Sequence, residues 1–186
     1  MSLQYEKRFF NAAEYYRMAE AGVLSPDDRV ELIEGEIVRM SPVGSRHAAC
    51  VRRLDALLNR EVGHVAQVGV QSPIRLSDFS EPQPDIALLN PRNDFYANAH
   101  PTPADVLLII EVSETSVEYD RGIKLPLYAR AEIPQVLIVN IPGDVIESYG
   151  EPLNGAYHKF MRVQRGESVD ILPIPNLSLP VDVVLG

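Results

Sequence analysis

The stretch "DVLLIIEVSETS", Asp105 to Ser116, constrains this chain more than any other. Five consecutive apolar residues, Val106 to Ile110, run straight into Glu111 and on to Val112. Such a run, with no polar side chain at alternate positions, is the pattern of a strand buried on both faces. A lone carboxylate in that place costs several kcal/mol unless it is paired or holds a metal. Two readings of Glu111 stay open from the residues alone: an ion pair with an arginine behind the sheet, or a cation ligand. Both require a sheet covered on its two faces.

The flanking segments supply the cover. "NAAEYYRMAEAG" predicts a short helix with Asn11 as cap, Glu14 three residues on, and Gly22 to end it. "RVELIEGEIVRM" predicts a tight hairpin turning at Glu34-Gly35. "SRHAACVRRLDALLNREV" predicts a long helix capped by Ser45, with Val51, Leu54, Leu58 and Val62 on one stripe. "VAQVGVQSPIRL", "PQPDIALL" and "DVLLIIEVS" read as three strands, with an exposed loop from Asn90 to Ala104 before the last. "VEYDRGIKLPLYARAEI" is helical but contains Pro126, which costs about 3 kcal/mol in a helix interior and almost nothing in a first turn. The helix therefore begins near Lys124, or it kinks. "QVLIVNI" is another buried strand, and the chain from Val145 on predicts a hairpin and edge strands. Helices flanking a sheet of mixed direction make an α/β domain.

A length of 186 residues with no repeat or linker suits one domain, 1–186. One cysteine, Cys50, leaves no disulfide framework and no cysteine-based zinc site, so a reducing cytoplasm is the expected compartment. No apolar stretch approaches the roughly 20 residues that span a bilayer, and "MSLQYEKRFF" lacks the pattern of a signal peptide. The net charge of −9 excludes a protein that grips a polyanion with its whole surface. Contact with one must go through a local patch, or through metal ions that reverse the sign of an acidic site.

Several chemistries are missing from the sequence. No glycine-rich phosphate loop follows a strand, H-E-x-x-H is absent, and "SPVGSRH" lacks a nucleophile elbow. Two carboxylates acting on a glycoside find no tryptophan to hold a sugar. What remains is acidic. Asp85 stands where its strand enters the sheet, and Glu111 stands late in the next. If those strands are antiparallel neighbours, both carboxylates reach one point, where they must share a proton or a cation. Mg²⁺ or Mn²⁺ suits that pair, with the Val112 carbonyl as the expected backbone ligand.

The assembled pattern, "QPD" followed by "IIEVSETSVEYDRGIKLPLYARAEIPQVLIVNI", resembles the Uma-type restriction-endonuclease-like family, a bacterial branch of the PD-(D/E)XK nucleases. "VELIEGEIVRMSPVGSRHAACVRRL" resembles the same family's opening hairpin and first core helix, so the likeness runs from about Val30 to Ile141. The resemblance implies a restriction-endonuclease-like fold with an added N-terminal helix and hairpin and a C-terminal β hairpin. It implies a Mg²⁺- or Mn²⁺-dependent endonuclease that hydrolyses phosphodiester bonds, with DNA as the expected substrate. Asp85 matches the P-D aspartate and Glu111 the second acid. The motif lysine should stand two residues after Glu111, where this chain has Ser113; the resemblance points to Lys124 instead, orienting water or stabilising charge on the phosphate.

Further candidates support that site. Glu34 at the hairpin turn would complete an acidic cluster or supply a second metal ligand, with Glu31 and Glu36 as competitors. His47 shares the stripe of Leu54 and Leu58 and faces the sheet from the first helical turn, either as a satisfied, half-buried histidine or as a contact for a substrate phosphate or a metal-bound water. Arg46, Arg53 and Arg60 fall seven apart and form the one basic row that helical spacing draws, either a solvated face or a contact for phosphates. The hairpin and tail after Val145 are expected to serve a homodimer. The rival to a nuclease is an idle member of the fold that acts as an interaction or assembly module, a reading that the missing E-x-K lysine favours.

Overall fold

The computed structural model describes residues 6–25 and 27–186; the sequence reading of residues 1–5 lies outside them. Helix α1 (Ala12–Glu20) starts with a capping box, in which the Asn11 side chain accepts from the Glu14 N–H and the Glu14 carboxylate from the Asn11 N–H. Strands β1 (Val30–Ile33) and β2 (Glu36–Arg39) form a hairpin whose two turn residues, Glu34 and Gly35, both adopt positive φ (48° and 81°), as the favoured two-residue turn requires. Helix α2 (Ser45–Val62) has Gly44 as its N-cap, with no side chain bonded there. Ser45, expected as the cap, is the first helical residue instead.

A six-stranded sheet follows in the order β3-β4-β5-β6-β7-β8. Its members are β3 (Gln67–Val70), β4 (Ile86–Leu89), β5 (Val106–Ser113), β6 (Gln135–Asn140), β7 (Val145–Leu153) and β8 (Ala156–Gln164). Only β5 and β6 are parallel, and every other neighbouring pair is antiparallel. The first expected strand is cut short after Val70, since Gln71 takes φ 45° and the chain turns away. Strands β9 (Ser168–Asp170) and β10 (Ser178–Pro180) pair separately and lead into α5 (Val181–Leu185).

The parallel β5–β6 pair needs a crossover, and that crossover resolves the Pro126 alternatives. It runs as α3 (Val117–Tyr119), a π-helical turn (Asp120–Lys124) and α4 (Leu125–Arg130). The helix starts at Val117 and widens by one turn before the proline. The Leu125 N–H bonds to the Asp120 carbonyl, five residues back, so Pro126 enters where the hydrogen-bond register is already changing.

Two apolar layers sandwich the sheet. Leu108, Ile110 and Val112 of β5 pack with Leu54 and Leu58 of α2 on one side. Ile109 packs on the other side with Tyr128 of α4, Val136 and Ile138. Side chains alternate along a strand, so Glu111 and Ser113 share the side of Ile109 and meet the crossover helix. Leu32 and Ile33 of the hairpin are buried, and a bridge from Leu32 to Glu81 ties it to the segment before β4.

Candidate active site

The antiparallel register of β4 and β5 pairs Ile86 with Ile110, which brings Asp85 beside Glu111. Asp85 Oδ2 accepts the Val112 N–H at 2.9 Å and lies 3.0 Å from His47 Nε2, while Oδ1 accepts the Gln71 side-chain amide at 3.1 Å. Burial pushes the Asp85 carboxyl up, but the His47 ring, its charge and the Val112 N–H outweigh that and hold it below the ordinary range. The same bond to Asp85 raises His47. His47 reaches inward from the first turn of α2, and its Nδ1 is buried without a hydrogen-bond partner among the described residues.

Glu111, buried at 4 % exposure, meets two groups of the crossover. Its Oε1 accepts from Lys124 Nζ at 3.2 Å and from the Tyr128 hydroxyl at 2.6 Å. Desolvation, with Asp120 and Asp85 nearby, pushes the Glu111 carboxyl up to about 8 against the pull of Lys124 and the Tyr128 hydroxyl. Burial alone would lower Lys124, but Glu111, Glu31 and Asp120 surround it and raise it above the ordinary lysine value. Lys124 Nζ also lies 3.1 Å from Glu31 Oε2. Glu31 in turn accepts from the Gln83 N–H at 3.1 Å and the Tyr119 hydroxyl at 3.4 Å. Asp120 Oδ2 accepts from Ser113 and Ser116, each at 2.6 Å, and burial raises its carboxyl. Ser113, where the parent motif has lysine, therefore anchors the start of the π turn that carries Lys124.

These groups open on one cleft of about 570 Å³. Glu31, His47, Asp85, Glu111, Val112, Asp120 and Lys124 all line it. Glu34 does not. It sits on the exposed hairpin turn, paired with Arg130 at 2.6 Å, beside a different groove next to Phe79. The carboxylate that the hairpin brings to the cleft is its competitor Glu31. A turn residue points to water, whereas Glu31 stands in the strand beside buried Leu32, the same signal that singles out Glu111. Asp120 gave no comparable signal, because a helix of regular pitch would have made it a surface partner of Lys124. The basic row on α2 lies outside the cleft lining. Arg53 donates to the carbonyls of Val184 (3.0 Å) and Leu185, Arg60 pairs with Glu61 at 2.8 Å, and Arg46 is exposed. The arginines lining the cleft are Arg29 and Arg39.

No group of three or more His, Cys, Asp or Glu side chains is arranged to hold a metal among the described residues. A hard divalent ion needs less, since Mg²⁺ commonly takes one or two carboxylates and fills its remaining positions with water and substrate phosphate oxygens. Asp85 and Glu111 are carboxylates of that kind, and among the described residues the hydrogen bonds of Glu111 fall on Oε1 and not on Oε2. The donor set is all oxygen, which fits Mg²⁺ or Mn²⁺.

Comparison with known proteins agrees with this architecture. The family model "Uma2: Putative restriction endonuclease" matches residues 12–182. A crystal structure described as that of "a putative nuclease belonging to DUF820" from Anabaena variabilis ATCC 29413 superposes with a TM-score of 0.73. It is 13 % identical in sequence, and the match covers 95 % of this chain and 97 % of that one, a likeness of fold. No curated protein matches the chain.

Proposed function

The chain belongs to the Uma2 family, and on that premise we propose that it is a divalent-metal-dependent endonuclease that hydrolyses phosphodiester bonds, with DNA as its substrate. The observation that carries this reading is the meeting of Asp85 and Glu111 on one cleft wall, with the Lys124 ammonium 3.2 Å from Glu111.

Asp85, Glu111 and the Val112 carbonyl are the proposed holders of Mg²⁺ or Mn²⁺. When bound, such an ion supplies Lewis-acid stabilisation of charge on the scissile phosphate and lowers the pKa of an attacking water. The residues of this chain do the rest. His47 and the Val112 N–H hold Asp85 ionised and fix its orientation. Lys124, raised above the ordinary lysine value, keeps its proton through the working pH range. It therefore acts as a hydrogen-bond donor that orients water and stabilises phosphate charge, and not as a base. Hydrolysis joins the water oxygen to phosphorus as the phosphorus–oxygen bond to the leaving group breaks; the attacking water gives up one proton to solvent, and the departing oxygen takes one from solvent. Glu31, Tyr128 and Asp120 are positioning residues that keep Lys124 and Glu111 in place.

The same reading places the protein in the cytoplasm as a homodimer, and no helix among the described residues is long and apolar enough to cross a membrane. The dimer contact is proposed on the C-terminal hairpin, where Phe160 and Met161 of the edge strand β8 are exposed. Arg46, Arg53 and Arg60 are proposed at most as peripheral contacts, and Glu34 carries no role in the chemistry. The test is incubation with supercoiled and single-stranded DNA in Mg²⁺, Mn²⁺ or EDTA, with Glu111→Gln in parallel. Metal-dependent cleavage lost in the variant is the expected result. Absence of cleavage, joined to absence of any metal-induced stabilisation, would leave an idle nuclease fold.

A further inference from the structure

The rim of the cleft carries a chemistry that its floor does not use. Arg29 and Arg39 line it and are both exposed. Arg29 Nη1 donates to the Ser41 carbonyl at 3.2 Å, which lays the guanidinium against the segment joining β2 to α2. That segment and the end of β2 add an apolar lip of Val38, Met40, Pro42 and Val43, with Val43 42 % exposed. Below the lip the lining is acidic: Glu31, Asp85, Glu111, Glu114 and Asp120. Among the described residues, the only basic ones in the lining besides the rim arginines are Lys124, already committed to Glu111 and Glu31, and the Asp85-bound His47.

We infer that the cleft takes an unpaired strand of a polynucleotide, with its phosphates on Arg29 and Arg39 and its bases against the apolar lip, and that it excludes an intact duplex. The inference rests on the nuclease reading and names its substrate class. An apolar lip next to two cations matches an unpaired nucleotide, which offers a bare base face beside its phosphate. A duplex keeps those faces stacked inside. Depth points the same way. Glu111 and Lys124 are each 4 % exposed at the base of a cleft of about 570 Å³, a volume that holds a few groups of a flexible strand and not a double helix. The acidic floor repels further phosphates, so the electrostatic footprint is confined to the rim. Two phosphate contacts on a single strand give a slope of log affinity against log salt of about −1.4.

The experiment is fluorescence anisotropy on the full chain with a short labelled single strand and with the corresponding blunt duplex. It is run in EDTA and in Mn²⁺, between about 50 and 200 mM salt, and the same samples are examined on gels for cleavage. The comparison proteins are Arg29→Gln with Arg39→Gln, and Arg92→Gln in the loop after β4, outside the cleft lining, each checked for folding by circular dichroism. The single strand should bind at least tenfold more tightly than the duplex. The double variant should lose most of that binding and flatten the salt slope, and Arg92→Gln should behave as the wild type. Equal or tighter binding of duplex, an unchanged double variant, or no binding at all would overturn the inference. Cleavage of duplex without preference would overturn it and leave the nuclease reading standing. Rim-dependent binding of single strand with no cleavage would retire the nuclease reading and leave the strand site.

Discussion

Lys124 is the residue whose surroundings decide most. It is buried between Glu111 and Glu31, so Lys124→Met would leave the buried Glu31 carboxylate without its cation. We expect a loss of about 3–5 kcal/mol in urea unfolding, the usual penalty for removing one partner of a buried ion pair. The two hairpin glutamates should separate cleanly. Glu31→Gln removes a partner of Lys124 and should lower cleavage by at least about tenfold, whereas Glu34→Gln, at an exposed side chain paired with Arg130, should leave it unchanged. Glu111 gives the pH dependence. Its carboxyl is pushed up to about 8, so below that pH it holds a proton that a cation must displace. Metal affinity should therefore rise as pH increases from 6 and level off above about 8. Titration calorimetry with Mn²⁺ at several pH values measures it, and a flat profile would remove Glu111 from the ligand set.

The decisive element is the π turn between α3 and α4. It advances the helix by one extra residue, so Asp120 stays anchored on Ser113 and Ser116 while Lys124 and Tyr128 both reach Glu111. Ile123 lies inside the turn and is 43 % exposed, so its side chain contributes little packing. Deleting it should restore a regular α-helix and rotate one group of anchors by about 100° against the other. The expected outcome is a folded protein with a native far-ultraviolet spectrum and no metal-dependent cleavage. Unchanged activity would mean that the π turn has no part in placing Lys124.

At the scale of the whole molecule the net charge of −9 adds to the acidic floor of the cleft, which under the proposed function favours entry of a cation. A cation that binds only the folded chain stabilises it by mass action, about 2.7 kcal/mol at a concentration a hundred times its dissociation constant. Mn²⁺ should raise the melting temperature of the wild type and leave that of Asp85→Asn with Glu111→Gln unmoved. Much of this molecule was legible in its sequence. The apolar run around Glu111 required a strand buried on both faces, Asn11 and Glu14 marked the start of α1, and Glu34-Gly35 marked the hairpin turn, because caps, turns and periodicity act over a few residues. The tertiary structure alone decided the rest. It brought Glu31 to the cleft, because packing of the hairpin against the segment before β4 buries that strand carboxylate and leaves Glu34 exposed. It drew Arg53 onto the carbonyls of α5 and left the cleft rim to Arg29 and Arg39, which share no helical spacing. It carried Lys124 to Glu111 through a widened turn that helical periodicity cannot express, since a change of hydrogen-bond register is set by the partners a helix meets and not by the residues it contains.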